Sequence, residues 1–171
     1  MAYNSENIEN KEIQYFYDYV LQKITKEIQN HPPLSEDLYL ANMLFQKFKI
    51  QFYSVMQLTY KMTHNPNNQY EYLDIASIKS IIRSAFETFL IFEYIFMQSK
   101  NMEIRKLRML LYKLHGYKDA KKIFNYNTNE YKEYHKKYRE TKDEIQRMEV
   151  YCDFSSEIQN KLIFENWKPS W

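Results

Sequence analysis

Gly116 is the only glycine in the 171-residue chain. Average usage of about 7% would supply roughly 12. P-loops, dinucleotide-binding turns and nucleophile elbows all place glycine where backbone must approach a ligand or adopt positive φ. Tight hairpin turns draw on the same residue. One glycine therefore excludes the Gly-loop nucleotide enzymes and points away from β-sheet, towards an all-α fold. The length suits one domain, and a chain of this size buries enough surface to fold without staples. With Cys152 as its single cysteine, the chain has no internal disulfide and no cysteine-based zinc site, which fits a reducing, cytoplasmic setting. The start of the chain is polar and carries no signal-peptide pattern. Its longest apolar run, Phe89 to Met97, is interrupted by Glu93 and is half of what a membrane span needs.

Helical spacing fills nearly the whole sequence. A first helix is expected over 8–30, with Ile13, Phe16, Val20, Ile24 and Ile28 facing a core, and His31-Pro32-Pro33 ending it. A second starts after Ser35, with Glu36 and Asp37 favoured by the dipole of the first turn, and runs to His64. A third covers 74–99 and a fourth 102–115, where Gly116 is read as a left-handed stop. A short helix over 118–124 follows, then one from Thr128 to Tyr151. A last segment opens on Ser156-Glu157-Ile158-Gln159, a capping-box pattern, and reaches Trp167. Trp167 and Trp171 are expected to pack on the bundle or on a second chain. The expected architecture is a single antiparallel bundle of about six helices over 1–171.

Two of these helices carry distinctive faces. On the 74–99 helix, Ile78, Ile82, Ala85, Phe86, Phe89, Leu90, Phe96 and Met97 share one broad apolar face, while Phe92, Ile91 and Ile95 extend it around the far side. A helix apolar nearly all round is expected at the centre of the fold. A polar stripe of Ser80, Arg83, Ser84, Glu87 and Tyr94 crosses it and is expected to be buried, with Arg83 and Glu87 paired four residues apart. On the 128–151 helix, Tyr131, Tyr134, Tyr138, Thr141, Ile145, Met148 and Cys152 alternate by three and four, a heptad seam. Such a seam could serve a homodimer.

Charge is unevenly placed. Lys100 to Arg147 contains 14 basic and 7 acidic residues, net +7, while the whole chain is +2, which leaves the remainder at −5. Lys118, Lys121, Lys122, Lys132, Lys136, Lys137 and Arg139, interleaved with tyrosines, form a candidate nucleic-acid surface: lysine and arginine meet phosphates, and unpaired bases stack on tyrosine. A solvated helical face has the same composition. No spacing suits a metal centre, a di-carboxylate pair or a nucleophilic triad, so no metal and no cofactor is expected.

Arg108 and His115 lie seven residues apart, two turns and about 10.5 Å along one helical face. This Arg-x6-His pair resembles the motif of the higher-eukaryote and prokaryote nucleotide-binding (HEPN) superfamily, with Met109 where a polar residue is usual. The resemblance implies an all-helical, often dimeric protein with a metal-independent ribonuclease site at Arg108 and His115. A structural role for His115 at a helix end is the alternative. A second resemblance lies in Ile81-Ile82-Arg83-Ser84-Ala85-Phe86-Glu87 and Phe92-Glu93-Tyr94-Ile95, which is similar to the Arg-Ser-x-x-Glu central helix of a widespread family of uncharacterised bacterial helical proteins. That resemblance implies a longer family chain, of which this one is a shortened form. Together these features lead to the expectation of a cytoplasmic helical recognition module in bacterial or phage conflict, binding RNA or a protein and no membrane. A metal-independent ribonuclease and a dimerisation module are the alternatives.

Overall fold

The computed structural model describes residues 11–12, 14–30, 35–63 and 75–165. All regular structure among them is helical. A π-helical stretch, Phe16–Leu21, leads into α1 (Gln22–Asn30). Then follow α2 (Glu36–Thr63) and α3 (Ile75–Phe92), which continues as a second π-helical stretch, Glu93–Met97. After these come α4 (Met102–Ile123), α5 (Asn129–Gln146), the single turn α6 (Glu149–Cys152) and α7 (Ser156–Phe164). The expectations for Ile8, Ile13, His31, His64, Asp74, Trp167 and Trp171 fall outside the described residues. Where one bundle was expected, the chain divides into two compact units, 1–93 and 94–171.

The first unit is built on the α2–α3 pair, with the N-terminal helix laid against α2. One buried cluster there is Tyr17, Leu21 and Met56, with Phe45, Phe48 and Phe52 packed around them, and Leu40, Leu44 and Ala85 are buried as well. The expected inward face of the first helix is displaced. Tyr17, Leu21 and Thr25 are buried, whereas Phe16 and Ile24 are each 40% exposed. Through the π-helical stretch the residues that line up on the buried side are four apart, and they are offset by one from the expected set. A polar contact also joins these helices: Lys49 Nζ donates to Thr25 Oγ1 at 3.0 Å, while Thr25 donates back to the Leu21 carbonyl at 2.8 Å.

The α3 helix is not the central, buried helix expected. Ala85 and Thr88 are buried, yet Ile82, Phe86 and Phe89 are 50%, 60% and 44% exposed. An apolar wheel records what a helix could bury, but here α3 has one side against α2 and leaves the other in solvent. The α2–α3 seam is pinned by polar contacts. Gln51 Nε2 donates to Ser84 Oγ at 2.6 Å. Thr88 Oγ1 lies 3.1 Å from Gln51 Oε1 and 2.8 Å from the Ser84 carbonyl, and its one proton serves either.

The second unit is conventionally cored. Leu107, Leu110, Leu111 and Leu114 of α4 meet Ile145, Met148, Tyr151 and Ile163. Asn101 caps α4 by accepting from the Glu103 and Ile104 amides, and Thr128 caps α5 by accepting from Tyr131. The heptad seam of α5 packs on α4 of the same chain, so the homodimer expected from that seam has its surface already used. The seam does not continue to Cys152: Met148 takes an extended conformation between α5 and α6, which turns Tyr151 inward and Cys152 outward. The last helix is capped one residue earlier than expected, by Ser155 accepting from Ile158, while Gln159 Nε2 donates to carbonyls of Tyr151, Cys152 and Phe154.

Gly116 does not end a helix. It lies inside α4, which runs unbroken to Ile123 and absorbs the short helix expected over 118–124. A single glycine in a helix costs about 1 kcal/mol. The flanking Leu114 and His115 are both buried, and their packing outweighs that local cost.

Candidate functional site

Arg108 and His115 occupy the same helix, but each is engaged in holding the second unit together. An Arg108 terminal nitrogen donates to the Tyr94 carbonyl at 2.6 Å, and its guanidinium lies 4.1 Å from the centre of the Tyr94 ring. His115 is 6% exposed, and its Nε2 sits 2.9 Å from the Leu162 carbonyl. A carbonyl only accepts, so Nε2 carries the proton and donates. Burial pushes the His115 pKa below its ordinary value, with the Leu162 hydrogen bond opposing that shift, and the ring is held neutral. A general base must reach the proton it takes. Here the imidazole is spent on a helix end: Leu162 belongs to the last turn of α7, whose carbonyls have no partners within the helix. Lys118 Nζ donates to the Phe164 carbonyl of the same turn at 2.7 Å. Two side chains of α4 thus cap α7, an arrangement that sequence spacing could not show because the partners are 47 and 46 residues apart.

The seven candidate phosphate-binding residues fare unequally. Lys118 is the cap just described. Lys121 Nζ lies 3.4 Å from His135 Nδ1 and 4.2 Å from the Tyr138 ring centre. Lys122 pairs with Asp119 at 2.7 Å, Lys136 with Glu140 at 3.8 Å and Lys137 with Glu133 at 2.6 Å. The Lys137 hydrogen bond holds the Glu133 pKa below its usual range. Lys132 and Arg139 are exposed on α5 and make no ion pair among the described residues. The Lys122, Lys136 and Lys137 pairs are exposed contacts within their own helices.

The expected buried polar stripe is dispersed. Ser80 and Arg83 are exposed, and the Arg83–Glu87 pair, 3.1 Å apart, joins side chains 83% and 47% exposed. Ser84 alone turns towards α2, through Gln51. Tyr94 belongs to the second unit and supports Arg108 there. The correction has one cause: α3 covers a single side, and the stripe falls mostly on the other.

A concave site does exist in the first unit, and sequence reasoning missed it. Ile24, Ile28, Leu38, Ala41, Asn42, Phe45 and Phe92 line a cavity of about 230 Å³. A second, of about 160 Å³, shares Phe45 and Phe92 and adds Leu44, Phe48, Thr88 and Phe89. Ile24 and Ile28 were visible as apolar positions, but were assigned to a closed core. No group of three or more His, Cys, Asp or Glu side chains converges among the described residues, and no helix there is long and apolar enough to cross a membrane. Compared with known proteins, the chain matches no family model, no curated protein and no solved structure.

Proposed function

We propose that this chain is a cytoplasmic recognition module that takes an amphipathic helix of a partner protein into the trough of its first unit. The observation that carries this reading is the pair of cavities sharing Phe45 and Phe92, whose lining is apolar apart from Asn42 and Thr88. Apolar grooves between helices accept the i, i+3/i+4, i+7 anchors of an amphipathic helix, and leucine- or phenylalanine-sized side chains fit hollows of this volume. Of the seven candidate phosphate contacts, Lys118 and Lys121 make contacts across helices within the second unit, so RNA binding is the second reading, carried by the exposed Lys132 and Arg139 of α5. The single, exposed Cys152 supports a reducing setting.

The test is a titration of the methyl-labelled full chain with amphipathic helical peptides bearing Leu or Phe anchors, read at Ile24, Ile28, Leu38 and Ala41. Saturable shifts at these methyls are expected, and Ala41→Trp, which fills the hollow, should abolish them without altering helix content. Silence at these methyls would overturn the reading. So would a salt-sensitive mobility shift of an oligoribonucleotide that is lost in the Lys132→Glu/Arg139→Glu variant, which would move recognition to α5.

A further inference from the structure

A side of α3, continued by Glu93 at the start of the π-helical stretch, carries a second pattern that shares only Phe89 with the trough. Ile75, Lys79, Ile82, Phe86, Phe89 and Glu93 recur at alternating spacings of four and three, a heptad seam about 27 Å long at 1.5 Å per residue. Its four apolar members are 44% to 60% exposed. A seam of this kind left in solvent is a surface lacking its partner.

Its charges say which partner fits. The seam is interrupted twice, by one cation and one anion, Lys79 and Glu93. Phe86 stands seven residues from each. Neither forms an ion pair among the described residues. Suppose two copies of α3 lie antiparallel about a two-fold axis at Phe86. Each Lys79 then faces Glu93 of the second copy, Ile82 meets Phe89 and Leu90 of the second copy, and the two Phe86 rings meet on the axis. In a parallel pairing at the same register, Lys79 would face Lys79 and Glu93 would face Glu93. The seam is complementary to itself in one direction only. That is the requirement of an isologous interface, in which one patch serves both subunits.

The geometry points to homodimerisation through α3, antiparallel and centred on Phe86, with reciprocal Lys79–Glu93 pairs setting direction and register. This differs from the α5 seam, which is occupied within the chain, and it shares with the trough only Phe89, which lines the smaller cavity, while Lys79, Phe86 and Glu93 line neither.

Sedimentation equilibrium of the full chain over a concentration series tests it. A reversible dimer is expected, and Phe86→Glu, which sets two carboxylates on the axis, should leave a monomer of unchanged helix content. Lys79→Glu places two acids together at both ends of the seam and should raise the dimer Kd roughly tenfold, the equivalent of about 1.4 kcal/mol. Adding Glu93→Lys to Lys79→Glu should return the Kd to within about twofold of the parent, since the reversed charges pair again. A monomer at every concentration up to about 100 μM, far weaker than a typical stable interface, would overturn the inference. So would a dimer indifferent to Lys79→Glu, or one that the double reversal fails to restore. Peptide binding at the Ile24 and Ala41 methyls is read separately, so either result stands whatever the other shows.

Discussion

The two units spend the same kind of residue differently. In the second, Leu114 and Ile145 are fully buried and Ile163 is 1% exposed, within a core of eight residues drawn from four helices. In the first, six apolar residues are buried among those described, Tyr17, Leu21, Leu40, Leu44, Met56 and Ala85, while Tyr39, Met43, Ile50, Ile82 and Phe86 remain half exposed or more. Helix count explains much of this contrast. In the second unit, α4 is contacted by α5, α6 and α7 together, so its apolar face is covered from several sides. The α2–α3 pair closes one seam between long helices that are apolar on more than one side. Burial is what stabilises, at about 25 cal/mol per Å² of apolar surface removed from water. By this measure the described part of the second unit is the better buried of the two.

Truncation separates the two most sharply. Leu114→Ala empties a fully buried position and is expected to cost about 2–5 kcal/mol. Tyr39→Ala, on a side chain 57% exposed, should stay within about 0.5 kcal/mol. Denaturant midpoints at equal m-values measure both. Equal losses would break the contrast.

Next in size is His115. His115→Ala removes the donor to the Leu162 carbonyl and should cost about 1–3 kcal/mol, the penalty for a buried acceptor left without a partner. The same residue gives the second unit a pH dependence. Its folded pKa is lowered by burial, so the unfolded chain takes the proton first as pH falls. The histidine's contribution is complete above its ordinary value near 6.5, and is lost progressively below that, through the lowered folded value. Between pH 7 and pH 5 the parent should lose more stability than His115→Ala does. A parallel pair of pH profiles would show that the imidazole is not held neutral.

Gly116→Ala carries the opposite sign. The position is helical and exposed, and a Cβ built there meets nothing within 4 Å. Alanine should therefore stabilise by about 0.5–1 kcal/mol, through backbone entropy and helix propensity. A loss instead would mean that α4 bends or ends at Gly116.

What the sequence made legible follows from the range of each signal. Thr128 as a cap and the Thr141–Ile145–Met148 seam depend on neighbours within a turn or two, and both are present. Gly116 misled because its local preference opposes two buried neighbours that no glycine count reveals. The first helix was misread by one residue because apolar spacing does not say which of two adjacent faces, Phe16–Val20–Ile24 or Tyr17–Leu21–Thr25, meets α2. The Arg108–His115 pair shares one helix as read, but its contacts are with the Tyr94 carbonyl and ring and with the Leu162 carbonyl, which spacing within the helix does not show. The trough was illegible for a related reason: apolar spacing marks residues that leave water, without saying whether a neighbouring helix closes over them.

Arg83 is the smallest and most direct probe of that last point. Were the 74–99 helix central, Arg83→Ala would strand a buried Glu87 carboxylate at a cost of roughly 3–5 kcal/mol. The structure instead sets the pair in solvent, 83% and 47% exposed, where an i,i+4 ion pair contributes about 0.3–0.5 kcal/mol and is screened by salt. Alanine's higher helix propensity offsets part of even that. Arg83→Ala should therefore shift stability by no more than about 0.5 kcal/mol, and less in 1 M salt than in 0.05 M. Arg83→Ala/Glu87→Gln should be indistinguishable from it. A loss above about 2 kcal/mol, unmoved by salt, would place this face of α3 inside a closed interface and return to the first unit the burial that the contrast denies it.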